Sequence, residues 1–86
     1  MSEFEKQFEA LLEKYTELLI GESTEKRKDM VTKYALYSFI AKNMPPLVKH
    51  WNSLYPEAKD EMKTIIGDIK EWNEMHRMNQ KKQEDE

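Results

Sequence analysis

Apolar residues recur three and four positions apart along almost the whole chain, and this spacing constrains the fold more than any other feature. Phe4, Phe8, Leu11, Tyr15 and Leu18 step by 4,3,4,3, with Leu12 and Leu19 widening the stripe. Met30, Tyr34, Tyr37, Ala41 and Met44 repeat the rhythm, and Ala58, Met62, Ile65, Ile69, Trp72 and His76 extend it, with Ile66 alongside. A 3.6-residue period places such positions on one face of a helix, whereas a strand would alternate every second residue. The spacing predicts an all-α protein whose helices bury these stripes.

Local signals divide the chain into elements. Ser2 followed by Glu5 has the form of a capping box, in which hydroxyl and carboxylate satisfy backbone N–H groups at a helix start. Gly21 after Ile20 suits a left-handed helix stop. Ser23 or Thr24 can cap the second helix, which is apolar nearly all round from Tyr34 to Ala41, as expected of a central helix contacted on several sides. Met44-Pro45-Pro46 ends it, because proline removes backbone donors and drives the preceding residue out of the helical region. A short third helix opens at Pro45 or Pro46, with Leu47, Val48, Trp51, Leu54 and Tyr55 on one face, and Pro56 falls in the first turn of the fourth. Gly67, inside that last helix, marks either a close crossing or a tolerated cost of about 1 kcal/mol.

The expected architecture is therefore a small up-down helical bundle of three long helices and one short one. It occupies residues 1–80, followed by a charged tail over 81–86 without an apolar residue, expected to fray. The first and last stripes average 3.5 residues per step, so they can close a core within one chain or form a seam between two. Eighty-six residues make a marginal core, which favours homodimerisation.

Charge is segregated. Residues 1–22 carry six acids against Lys6 and Lys14, a net −4. Residues 23–49 carry Lys26, Arg27, Lys28, Lys33, Lys42 and Lys49 against Glu25 and Asp29, a net +4, and the remainder returns the total to −3. Lys26-Arg27-Lys28 sits poorly at its own helix's positive end but well near the negative C-terminus of the first helix. Nucleic acid is not an expected partner, since the acidic flanks repel phosphate and the short third helix is core-like. A membrane surface is not expected either, because the first helix has a polar face of Glu rather than Lys or Arg. No cysteine, secretory leader or membrane-length apolar run is present, which points to the cytoplasm.

No chemistry-bearing constellation emerges. His50 and His76 are the only histidines, preceded three residues earlier by Leu47 and Asn73 rather than the Glu of a carboxylate-bridged metal site. His76 is better placed to cap an apolar stripe. Neither metal nor other cofactor is expected, and no enzyme activity. The least ordinary stretch runs from Ala41 to Asn52. Within it and just beyond, Lys49, His50, Trp51 and Tyr55 form a candidate binding corner, a Trp anchor with a basic rim. The competing interpretation is a rigid elbow with Trp51 plugging the bundle end, and it is favoured because Trp51 continues the face begun by Leu47.

Glu13-Lys14-Tyr15-Thr16-Glu17-Leu18-Leu19 with Gly21-Glu22, and Met44-Pro45-Pro46-Leu47 with Lys49-His50-Trp51-Asn52, resemble the YusU-like family of small uncharacterised proteins from Bacillus and relatives. The resemblance implies a bacterial cytosolic origin and no established activity, so it transfers no functional residue. Two readings of function remain. One is a non-catalytic module that self-associates or docks an unidentified protein partner. The other is a small-ligand or anion-binding protein using a pocket near Trp51.

Overall fold

The computed structural model describes the backbone of residues 2–84 and the side chains of residues 2–79. Among the described residues four helices follow one another: α1 Glu3–Ile20, α2 Glu25–Asn43, α3 Pro45–Leu54 and α4 Pro56–Glu84. No strand occurs among the described residues, and the all-α bundle read from the apolar spacing holds. Helix α4 continues to Glu84, into the segment expected to be a charged tail; that segment's side chains lie outside the described residues.

The helix ends follow the sequence closely. The Glu5 backbone N–H donates to Ser2 Oγ at 3.1 Å, and the Arg27 N–H donates to Thr24 Oγ1 at 3.1 Å, so Thr24 rather than Ser23 caps α2. Gly21 closes α1 in the left-handed region at φ 87°, its N–H donating to the Glu17 carbonyl at 2.8 Å. Pro45 and Pro46 occupy the first turn of α3, and Pro56 opens α4, where a missing N–H costs nothing.

Helix α2 packs against all three others, and α4 does likewise, whereas α1 and α3 do not touch. The chain order therefore builds two junctions along one α2–α4 pair: α1 covers one stretch and α3 another. The core is thin. Its buried apolar side chains are Ile20, Val31, Met62, Ile65 and Ile69, joined by the hydroxyl of Thr16. Thr16 is satisfied internally, its Oγ1 donating to the Leu12 carbonyl at 2.8 Å. Leu19, Met30, Tyr34, Tyr37, Trp51, Ile66 and Trp72 pack around this nucleus. The α4 stripe is thus buried much as its spacing predicts.

The α1 stripe is not. Phe4, Phe8, Leu11, Tyr15 and Leu18, expected in the core, are 69, 49, 61, 40 and 62% exposed. Instead α1 buries Thr16 and Ile20, with Leu12 and Leu19 half-buried. That face lies about 100° around the helix from the stripe. Helix α1 carries two neighbouring apolar arcs, but only α2 and α4 contact it, and two helices cover only one arc. Similarly, α2 touches three neighbours yet leaves Leu36, Phe39 and Ile40 exposed, as it does its C-cap Met44, and α3 has no fully buried residue.

Long-range polar contacts tie the helices together sparingly. Asn73 on α4 donates from Nδ2 to the Leu19 carbonyl at 2.7 Å, satisfying one of the free acceptors at the end of α1. The basic start of α2 meets acids of the first segment as its charge predicts: Arg27 reaches Glu22 at 3.4 Å and Lys28 reaches Glu9 at 2.7 Å.

Candidate groove between α2, α3 and α4

The two prolines that end α2 swing α3 across its C-terminal half and the start of α4. The three helices do not close on one another. They leave a groove of about 580 Å³, within the 300–1,000 Å³ span of small-molecule sites. Leu36, Tyr37 and Ile40 of α2 form one wall, Leu47, Val48 and Trp51 of α3 another, and Ala58, Met62 and Ile65 of α4 the floor. An aromatic row lies along α3: Tyr37 and Trp51 have ring centroids 6.0 Å apart, and Trp51 and Tyr55 6.2 Å, both tilted. The Tyr37 hydroxyl donates to Asn52 Oδ1 at 3.4 Å.

Polar groups at this groove are few. Lys33 and Glu61 stand among the lining residues, and Lys33 is already held by Asp29 at 2.5 Å. The four residues of the candidate corner are only partly brought together. Trp51 is half-buried and lines the groove; Tyr55 packs on its ring but stays 55% exposed. Lys49 and His50 are exposed and do not line it, because two and one residues before Trp51 the helix turns each of them at least about 100° away from the tryptophan's face. The basic rim expected beside the tryptophan is therefore absent from the groove. Leu36, Ile40 and Met62 were not singled out for binding by sequence reasoning. The all-round apolar character of α2 between Tyr34 and Ala41 is the signal that could have found Leu36 and Ile40, whereas Met62 belongs to the α4 stripe read as core.

A smaller cleft of about 260 Å³ lies where α1 ends, bounded by Gly21, Glu22, Arg27, Trp72 and His76. The Arg27 guanidinium sits 4.2 Å from the Trp72 ring centroid, a cation–π contact, and is also paired with Glu22. His76 packs beneath Gly21, with Nε2 withdrawn from solvent and without a hydrogen-bond partner among the described residues. This position matches the capping role inferred for His76. The Lys28 ammonium is raised above the ordinary 10.5 chiefly by its hydrogen bond to Glu9, with burial opposing and Glu25 assisting. Among the described residues no three His, Cys, Asp or Glu side chains are grouped as metal ligands.

These features define the class: a small all-α bundle with an open apolar groove. The chain belongs to the family described as Protein of unknown function (DUF2573), which it matches over residues 2–79. It is 55% identical over 76 residues to the "Uncharacterized protein YusU" of Bacillus subtilis (strain 168), covering 88% of this chain and 80% of that protein. The resemblance carried by the Glu13–Leu19 and Met44–Asn52 segments is thereby shown. No solved structure matches. No helix among the described residues is long and apolar enough to cross a membrane.

Proposed function

We infer that this protein is a non-catalytic interaction module of the bacterial cytoplasm, acting through apolar surface that its own fold leaves uncovered. One observation carries this reading. Among the described residues five apolar side chains are buried, whereas fourteen large ones, spread over every helix, are exposed. Isolated exposed leucines are ordinary, but contiguous apolar area on a small domain marks an interaction site. Five of those side chains form the α1 stripe, and others border the groove.

The groove favours a second reading, a binder of a small apolar molecule seated against Trp51. An anion is a poor occupant, since the only cation among the lining residues is already paired. The test combines sedimentation velocity over a dilution series with binding of an anilinonaphthalene sulfonate dye. An interaction module either self-associates or lights the dye as a monomer. A chain that stays monomeric at every concentration and leaves the dye dark refutes it. For the second reading, Trp51 emission in a Trp72→Phe background should respond to straight-chain apolar ligands.

A further inference from the structure

We propose that the exposed face of α1 is a homodimer seam, on which Phe4, Phe8, Leu11, Tyr15 and Leu18 meet the same residues of a second copy. The proposal rests on the interaction-module reading and names its surface and occupant. In heptad terms Phe8 and Tyr15 take the a positions, and Phe4, Leu11 and Leu18 the d positions. That is the 3.5-residue repeat through which helices interlock side by side. The intramolecular core uses other positions: Leu12 and Leu19 at e, Thr16 at b and Ile20 at f. The helix thus has one apolar face occupied within the chain and a second, at the a/d positions, without a cover.

Two observations commit the face to another copy of this chain. First, charge is kept off the seam. The flanking g positions are Gln7 and Lys14, while Glu3, Glu9, Glu13 and Glu17 fall at b, c and f, and only Glu5 borders the seam at e. Two α1 helices can therefore meet without opposing rows of carboxylates, although α1 is acidic overall. A bilayer surface is disfavoured by those same acids.

Second, the area is sufficient. Taking about 200 Å² for a fully exposed large side chain, residues 40–69% exposed supply roughly 560 Å² per chain. A two-fold pairing then covers about 1,100 Å², against the roughly 1,000 Å² that a specific interface must clear.

The same exposure makes the proposal testable without unfolding the protein. Leu11→Glu alters a side chain at the middle of the seam that is 61% exposed in the single chain, so its helical circular dichroism should match wild type at low concentration. The wild type should sediment as a dimer of about twice 10.4 kDa, and Leu11→Glu should weaken association at least a hundredfold. Leu36→Glu, on the groove wall, should leave it unchanged. Oxidation should cross-link Leu11→Cys, which meets itself across a two-fold, and not Glu13→Cys on the outer face.

A dimer broken by Leu36→Glu but not by Leu11→Glu overturns the seam and leaves the module reading intact. So does a monomer at every concentration that binds the dye. A monomer that leaves the dye dark overturns both.

Discussion

The two glycines should respond to alanine in opposite directions, and the structure supplies the size of each effect. At Gly21 the backbone holds φ 87°, where an L-residue pays about 1–2 kcal/mol. The added Cβ would also stand 2.8 Å from His76 Nδ1 and 3.3 Å from Cγ, so the imidazole must shift. Crowding a packed site costs roughly 1–3 kcal/mol, and the low end applies because the obstacle is a side-chain ring rather than backbone. Gly21→Ala should therefore destabilise by about 2–3 kcal/mol. At Gly67 nothing lies within 4 Å of the new Cβ and the backbone is helical, so Ala should stabilise by about 0.5–1 kcal/mol. In a domain of this size 1 kcal/mol moves Tm by about 4–8 °C, giving a fall of roughly 10–20 °C for the first variant and a rise of a few degrees for the second. Urea unfolding followed by circular dichroism, at one fixed protein concentration, measures both; a shared concentration matters because self-association raises apparent stability. The double variant Gly21→Ala with His76→Ala should recover the steric part, about 1 kcal/mol, and leave the backbone part. A Gly21→Ala cost below about 0.5 kcal/mol, or no coupling to His76, would refute the placement of His76 against the α1 stop.

Three further outcomes follow from packing, hydrogen bonding and charge. Ile69, 2% exposed at the centre of the core, should cost about 2–5 kcal/mol as Ile69→Ala, whereas Phe39→Ala at 67% exposure should stay within about 0.5 kcal/mol in urea titrations. Asn73→Ala should cost about 1–2 kcal/mol by leaving the Leu19 carbonyl without its donor, and amide exchange should quicken at the α1–α2 turn. Lys28 gains its proton affinity from Glu9 in the folded chain, so its contribution is fully present below the ordinary lysine value of 10.5 and is lost as pH rises through the raised one. Urea midpoints should therefore fall more steeply with alkaline pH in the wild type than in Lys28→Met.

Much of the fold was legible in the residues themselves. Ser2, Thr24, Gly21 and the three prolines act through their own backbone and nearest neighbours, so the element boundaries they announce are the ones observed. The α4 stripe was legible too, because α4 touches all three other helices and every residue on that face finds a cover. The groove was partly legible. Trp51 was singled out, but Lys49 and His50 were grouped with it on proximity in sequence, and the phase of α3 turns them away. Leu36 and Ile40 read as packed faces of a central helix rather than as a groove wall, because an apolar residue reads the same whether it faces a core or a groove.

What the amino-acid order determined alone was the local part: four helices, their ends, and the arcs on which oily residues gather. Each follows from backbone sterics and a 3.6-residue period, which need no distant partner. Only the tertiary packing chose which of the two arcs on α1 turned inward. That choice depends on how many helices reach α1 and how closely, and α2 and α4 meet it at Thr16 and Ile20 and leave Phe4 through Leu18 outside. Periodicity reports that a face is apolar; only the count of neighbours decides whether that face is covered.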